Sequence, residues 1–174
     1  MLTPLALPTT LRTRAGEVRL RRATISDLDQ IMILLADDPI SSSRGDVAAA
    51  DDRAIYLSAL QQILDDPANE LLLVDDAAGA LIGTMQLTRI PGMARRGSTR
   101  LQVEAVRVHH DQRSSGIGTA MMRWVTDVAA PSLASSLVQL TSDAARGDAH
   151  RFYERLGFMP SHVGFKYRVG PTPG

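Results

Sequence analysis

The spacing of hydrophobic positions along the chain predicts an order of short strands and amphipathic helices. Strands are predicted where apolar and polar residues alternate or where a short apolar run is bounded by turn residues, and helices where apolar residues recur three and four positions apart. The predicted strands are residues 17–22, 70–74, 81–88, 101–108 and 136–141, with final strands containing Phe158, Val163, Phe165 and Tyr167. The predicted helices are one that begins at Leu28 and ends before Pro39, one over about 46–64, one that begins at Ile117 and is stopped by Pro131, and one over 148–156.

Three of these elements carry additional local signals. Thr24 is followed three positions later by Asp27, a capping-box spacing that predicts a helix start. Gly83 lies inside a predicted strand, where a glycine indicates a bulge or the close approach of a neighbouring backbone. The buried residues predicted for the second helix are Ile55, Leu57, Leu60, Ile63 and Leu64.

The order of the elements predicts one domain of the α/β (α+β) class. Antiparallel front strands precede a β–α–β unit, and both fit a single sheet covered by helices. A length of 174 residues agrees with one domain. We expect that domain to span residues 17–169, with residues 1–16 as a flexible extension and residues 170–174 as a flexible tail.

Composition excludes several classes of protein. The chain has no cysteine, which excludes a disulfide framework, a thiolate metal site and a cysteine nucleophile. A hydrophobic fraction of 44% and a net charge of zero argue against a disordered chain and against non-specific attraction to nucleic acid or a membrane surface. The longest apolar run, residues 31–36, is far shorter than the ~20 residues that cross a bilayer. We therefore expect a cytoplasmic protein with no nucleic-acid or membrane partner.

The charge is unevenly distributed along the chain. Residues 27–76 contain twelve acidic residues against two arginines, a local charge of −10. Residues 89–113 contain six arginines against two acidic residues, a local charge of +4. The acidic segment fits either a surface that attracts a cation or a solvated face that keeps the protein soluble.

The segment 106–118 is the part of the sequence that points most directly to chemistry. It ends a predicted strand, passes through a loop of small and polar residues and opens the strongest predicted helix. The first backbone N–H groups of a helix are unpaired and lie at the positive end of its dipole, which suits a phosphate. Gly116 and Gly118 permit close approach and Arg113 adds a positive charge, although the same glycines could serve packing alone. The Walker A and dinucleotide patterns are both absent.

Two motifs in this region together resemble the GNAT superfamily of acyl-CoA-dependent N-acyltransferases. Residues 113–118, Arg-Ser-Ser-Gly-Ile-Gly, are similar to its pyrophosphate-binding Arg-x-x-Gly-x-Gly pattern. Residues 149–158, Ala-His-Arg-Phe-Tyr-Glu-Arg-Leu-Gly-Phe, are similar to its second signature, a tyrosine-bearing helix that ends in Leu-Gly-Phe. One helix and one strand separate the motifs, and the resemblance covers roughly residues 81–167. The sequence departs from the family at Ser114, where Gly is frequent, and at Arg146, where Asn is frequent.

The resemblance implies a fold and a reaction. The fold is a single mixed, mostly antiparallel central sheet flanked by helices. The reaction is direct transfer of an acetyl group from acetyl-CoA, the acyl donor, to a primary amine, with no metal and no covalent enzyme intermediate. Together with the acidic segment, it favours a small cationic molecule as the acceptor. Relatives are often dimers, so a homodimer is also implied.

The resemblance also assigns the cofactor-binding residues. The backbone of Val106 and Val108 would pair with the pantetheine arm, and Arg107 between them is either a cofactor contact or a solvated strand arginine. The pyrophosphate would be held by the N–H groups of Arg113, Ser114, Ser115, Gly116, Ile117, Gly118 and Thr119.

Two residues are the catalytic candidates. Tyr153 occupies the family's general-acid position, and its alternative role is to pack its ring under the sheet, with Phe152 and Phe158 nearby in the sequence. Glu104 resembles a glutamate that acts as general base, directly or through water, and its alternative role is a strand carboxylate bound to a nearby arginine. None of the four histidines is chosen for catalysis, and no metal ligands are predicted.

Two other functions stay open at this point. One is an acetyltransferase that acts on protein N-termini or side chains. The other is an acyl-CoA-binding regulatory protein that keeps residues 113–118 but catalyses no transfer. A tRNA-reading enzyme is disfavoured because only 4% of the residues are aromatic and the front half is acidic.

Overall fold

Six strands form one sheet in the computed structural model, which describes residues 2–42, 45–167 and 169–170. The strands are β1 (Thr9–Thr13), β2 (Gly16–Arg22), β3 (Asn69–Asp75), β4 (Leu81–Ile90), β5 (Arg100–Val108) and β6 (Leu137–Leu140). They lie side by side in chain order; β1 to β5 are antiparallel, and β6 is parallel to β5. The predicted single mixed, mostly antiparallel sheet is confirmed.

The described residues contain seven helical segments. They are α1 (Leu28–Ala36), α2 (Pro39–Ser42), α3 (Arg53–Asp65), α4 (Ala94–Gly97), α5 (Ile117–Trp124), α6 (Ala130–Ser132) and α7 (Gly147–Arg155). Short 3₁₀ turns precede α1 and α3, and a π-helical turn, Val125–Ala129, connects α5 to α6. No helix among the described residues is long and apolar enough to cross a membrane.

The chain forms two compact units, residues 1–140 and residues 141–174. The first contains the whole sheet and α1 to α6. The second contains α7, and its last residues, 171–174, which belong to the predicted tail, lie outside the described residues.

The core of the first unit lies on both faces of β3 and β4. Leu71 and Leu73 of β3 pack with residues of α1 and α3. Residues that alternate with them along a strand point to the opposite face, and there Val74 lies with Met121 of α5 around Gly83. A strand covered on both faces reads as a continuous apolar run, which is why residues 70–74 predict a strand without alternation.

Gly83 is required by close packing, as the sequence predicts. A Cβ atom on this residue would lie 3.2 Å from the carbonyl oxygen of Arg107 and 3.3 Å from the Cβ of Val74. The pairing of β3 with β4 also shifts register at this point. The glycine therefore lets β5 and α5 approach β4 closely.

The beginning of the chain differs from the expectation of a flexible extension. Residues 9–13 form β1, and Leu2, Leu5 and Leu11 are buried. The backbone N–H of Leu2 donates to Glu70, and Arg22 donates to the carbonyls of Leu2 and Leu5. Leucines interrupted by prolines have no strand or helix period, so only these distant contacts reveal that the segment packs in the fold.

Two further expectations are corrected. Residues 158–167 form no strand, and Val163, Phe165 and Tyr167 are exposed rather than paired in a sheet. In α3 only Leu60 is fully buried, whereas Ile55 is 68% exposed. The other predicted core residues of α3, Leu57, Ile63 and Leu64, are partly buried against the cluster that contains Leu60.

Candidate cofactor and active site

β5 separates from β6 halfway along its length. The two strands pair only between Arg100–Val103 and Leu137–Leu140, and of residues 104–108 only Glu104, Arg107 and Val108 are paired, all with β4. Ala105 has a φ of +50°, and the register with β4 shifts between Thr84 and Gln86. This is a β-bulge, which bends a strand and increases its twist. The second half of β5 therefore has one edge free of β6, and an extended ligand can add to such an edge through backbone hydrogen bonds.

The predicted residues of β5 lie along this edge. Glu104 is exposed and comes directly after the last residue that pairs with β6. Val106, Arg107 and Val108 follow and are partly buried. Arg107 donates through Nη1 to the carbonyl of Val106, 2.9 Å away. No ion pair among the described residues involves Glu104, so its alternative role as the partner of a nearby arginine has no support in the structure.

The loop after β5 has the backbone geometry of an anion site. The first hydrogen bond of α5 runs from the N–H of Ala120 to the carbonyl of Gly116. The N–H groups of Ile117, Gly118 and Thr119 consequently have no acceptor inside the helix. Gly116 has a φ of +95° and Ser114 a φ of +63°, so the chain turns sharply twice before the helix begins. The Ser115 hydroxyl donates to the carbonyl of Gln112 at 2.5 Å and fixes the turn between them.

Arg14 contacts this loop from the turn between β1 and β2, and the sequence does not reveal it. Its Nη2 donates to the carbonyl of Ser114 at 2.8 Å. A Cβ atom on Gly116 would lie 3.1 Å from the backbone nitrogen of Arg14, so the glycine is needed for packing as well as for its φ. A hundred residues separate the two partners, and no local pattern could have connected them.

Arg113 lies beside a carboxylate that the sequence analysis did not single out. Its Nη2 is 4.0 Å from Asp37, which follows α1. Asp37 also accepts from the backbone N–H and contacts the ring of His110. Burial alone would raise the pKa of Asp37, but the bonds from His110 outweigh it and lower that pKa. The guanidinium of Arg113 therefore faces an ionised group at neutral pH.

Tyr153 lies on α7 in the second unit. Its ring makes edge-on contacts with Phe152 and Phe158, with ring centroids 5.1 and 5.8 Å apart. The ring of Tyr153 therefore packs against neighbours in its own unit, and its role in catalysis stays a prediction. Packing of the ring and proton donation by the hydroxyl are compatible, because they use different parts of the side chain.

Six of the twelve acidic residues in the segment 27–76 bind an arginine, a histidine or a tyrosine within the fold, and Asp38, Asp66 and Asp76 accept other hydrogen bonds. Asp27 and Asp75 bind Arg21, Glu70 binds Arg22, Asp29 binds Arg53, Asp37 binds His110, and Asp46 accepts from Tyr56. Arg21 and Arg22 lie on β2, outside the acidic segment. The local charge of −10 thus overstates what is available to attract a cation.

Comparison with known proteins identifies the family. The family model described as Acetyltransferase (GNAT) family matches residues 31–158, which include β5, α5 and α7. The chain belongs to this family. None of the curated proteins matches the sequence.

Solved structures share the fold. A transcriptional regulator from Bacillus halodurans C-125 is 36% identical, with a TM-score of 0.82 over 87% of this chain and 99% of the other. A ribosomal-protein-alanine N-acetyltransferase from Brucella melitensis biovar Abortus 2308 is 23% identical, with a TM-score of 0.67 over 88% and 99% of the two chains. A glucosamine-6-phosphate N-acetyltransferase from Arabidopsis thaliana is 16% identical, with a TM-score of 0.69 over 87% and 97%. The last two show the fold alone.

Proposed function

We propose that the protein transfers an acetyl group from acetyl-CoA directly to a primary amine. One observation carries the proposal: the edge of β5 that is free of β6, at residues 104–108, leads through the loop 109–116 to the N–H groups that have no acceptor inside α5. A ligand with an extended amide-bearing arm and a diphosphate at its far end matches both features. Backbone groups along Val106 and Val108 would pair with the arm, and residues 113–119 would hold the diphosphate.

The transfer needs a base and an acid. The amine nitrogen, once it has lost its ammonium proton, attacks the carbonyl carbon of the thioester, and a C–N bond replaces the C–S bond. The nitrogen then releases a second proton to water as the amide forms. Glu104 would accept the ammonium proton directly or through water, and the Tyr153 hydroxyl would protonate the departing thiolate. Glu104 fits because its carboxylate is exposed where β5 separates from β6.

The acceptor we propose is the amine of a small cationic molecule. The support is the acidic character of residues 27–76, reduced by the carboxylates that are bound within the fold. A protein N-terminus is the second acceptor class, since one solved structure of the same fold is a ribosomal-protein-alanine N-acetyltransferase. A cytoplasmic location without nucleic-acid or membrane partners agrees with the composition.

A homodimer is the assembly we propose. Val163, Phe165 and Tyr167 are at least 80% exposed, and apolar side chains grouped this closely in the chain favour contact with another surface. Light scattering coupled to size exclusion would give twice the mass of the chain. A mass equal to one chain at micromolar concentration would contradict a stable dimer.

The function is tested by following thiol release from acetyl-CoA over a panel of amines. The panel contains polyamines, aminoglycosides, amino sugars and short peptides with free N-termini. Release that depends on a cationic small amine supports the proposal, and release with peptides alone supports the second acceptor class. Acetyl-CoA binding without release for any amine would instead indicate a non-catalytic regulatory protein. Binding without release would also agree with the solved structure of 36% identity, which is named a transcriptional regulator.

A further inference from the structure

Three side chains that commonly bind metals meet at one place in the first unit. Asp37 directly follows α1, and His109 and His110 directly follow β5. One potential ligand atom from each lies within 4.8 Å of the other two. The proposed acetyl transfer makes no use of these three side chains.

The backbone holds this cluster in place. The N–H of His110 donates to one carboxylate oxygen of Asp37 at 2.8 Å, and Nδ1 of His110 lies 2.5 Å from the other. The two imidazole rings are stacked with a tilt of 32° and centroids 4.5 Å apart. Neighbouring residues in the chain thus place a nitrogen of each ring within 4.8 Å of a carboxylate oxygen of Asp37, while Nδ1 of His109 also lies 3.8 Å from Asp111.

The set of donor atoms is typical of a borderline transition metal. Two imidazoles and one carboxylate are a frequent three-residue set for zinc, with a further position open to water. Ligand atoms about 2.1 Å from a shared ion are at most about 4.2 Å apart. The atoms of this cluster are within 4.8 Å of one another, so small rotations of side chains bring them onto one ion.

A second carboxylate contacts the other ring nitrogen of His110. Nε2 of His110 lies 3.0 Å from a carboxylate oxygen of Asp111. Histidines that bind a metal through one nitrogen usually donate through the other to a carboxylate or carbonyl, which orients the ring and makes it a better ligand. Arg113 is the nearby positive charge, 4.0 Å from Asp37, and its exposed side chain is free to turn away.

We propose that Asp37, His109 and His110 bind one divalent transition-metal ion, with Zn²⁺ as the representative ion. The ion would join the end of α1 to the end of β5. The proposal does not depend on acetyl transfer and stands or falls separately from it.

The test is isothermal titration calorimetry of Zn²⁺ into the full chain, without a histidine tag and after treatment with EDTA. We expect one equivalent to bind, and Co²⁺ to give the visible absorption of a nitrogen-ligated site. His109→Asn and His110→Asn should each weaken Zn²⁺ binding by at least about 100-fold, because even loss of an outer-shell partner costs 10- to 100-fold. His162→Asn is the matched control, since His162 is exposed and lies in the other unit.

Circular dichroism and thermal melting would establish that each variant folds. Asp37→Asn removes the carboxylate ligand while both imidazole rings stay in place, so it should also weaken Zn²⁺ binding. Equal Zn²⁺ binding by the wild type and by His109→Asn/His110→Asn would overturn the proposal, as would loss of binding in His162→Asn. Binding of Mg²⁺ or Ca²⁺ as tightly as Zn²⁺ would also overturn it, because those ions prefer sites made of oxygen atoms.

Discussion

Glu104 stands where β5 leaves β6, and its position makes a direct prediction. Replacement by Gln keeps the shape of the side chain and removes the base. We expect Glu104→Gln to lower kcat by about 100- to 10,000-fold, the usual contribution of general-base catalysis, while the dissociation constant of acetyl-CoA stays within about twofold. Steady-state thiol release and calorimetry measure the two quantities. Glu17→Gln is the control, because Glu17 is an exposed glutamate near the turn after β1. Unchanged kcat in Glu104→Gln would remove this residue from the mechanism.

Replacement of Tyr153 tests the second proton transfer, from the tyrosine hydroxyl to the departing thiolate. Tyr153→Phe keeps the ring that contacts Phe152 and Phe158 and removes only the hydroxyl. We expect kcat to fall by about 100-fold or more because the thiolate leaves without a proton donor, with thermal stability and acetyl-CoA affinity nearly unchanged. Tyr167→Phe is the matched control, since Tyr167 is 92% exposed. A loss of stability in Tyr153→Phe without loss of turnover would assign the residue to packing alone.

Ser114 stands where the family often has glycine, and its backbone conformation is one that glycine adopts more easily. The sequence reveals that serine replaces a frequent glycine, but only the structure gives the reason this matters, a φ of +63°. A residue with a Cβ atom in the left-handed region costs about 1 kcal/mol. The bond from Arg14 to the carbonyl of Ser114 holds this conformation, and no sequence pattern contains that bond.

At the scale of elements, the burial observed in α3 differs from the burial that its amphipathic pattern predicts. Leu60 is 4% exposed and Ile55 is 68% exposed, although the sequence predicts both in the core. We expect Leu60→Ala to lower the free energy of unfolding by about 2–5 kcal/mol, because it leaves a cavity beside α1 and β3. Ile55→Ala on the same helix should change it by less than about 0.5 kcal/mol. Urea denaturation measures both, and equal losses would contradict the orientation of α3.

Arg21 connects β2 to two other elements through ion pairs, and these ion pairs should make the stability of the fold depend on pH in the acid range. It binds Asp27 before α1 and Asp75 at the end of β3. Burial alone would raise the pKa of Asp27, but hydrogen bonds from Arg21 and Thr24 outweigh it and lower that pKa below the ordinary 3.8. The stability that Asp27 contributes is therefore fully present above about pH 3.8 and is lost as the pH falls through its lower value in the folded protein.

The test of this linkage is the free energy of unfolding as a function of pH. Asp27→Asn should be less stable than the wild type at neutral pH, and its stability should fall less steeply below pH 3.8. Asp65→Asn, at the end of α3, is the control for an exposed aspartate. Parallel curves for Asp27→Asn and the wild type below pH 3.8 would contradict the role of this carboxylate.

The elements also show where sequence patterns succeed and where they fail. β5, α5 and α7 were predicted because their signals are local, either alternation, helical spacing or a contiguous motif. The bulge at Ala105 was not predicted, because an alanine within a strand pattern gives no sign of a positive φ. The final strands predicted from Val163, Phe165 and Tyr167 are absent because alternation describes an amphipathic segment and does not supply a strand to pair with it.

At the scale of the whole molecule, the net charge of zero results from cancellation between segments. Residues 27–76 carry −10, and arginines elsewhere balance them. The structure accounts for part of this balance, because Arg21 and Arg22 of β2 bind Asp27, Asp75 and Glu70. Distant ion pairs of this kind, like the meeting of Asp37 with His110, depend on the tertiary fold and could not be predicted from local patterns.

The central claim is that the acetyl group passes directly from acetyl-CoA to an amine. The measurement that tests it is mass spectrometry of a single-turnover reaction with acetyl-CoA labelled by ¹³C in the acetyl group. We expect labelled N-acetyl amine and free thiol in equal amounts, with no label on the protein at any time. Label on the protein before it reaches the amine, or labelled acetyl-CoA that binds and is never consumed with any amine, would contradict the account.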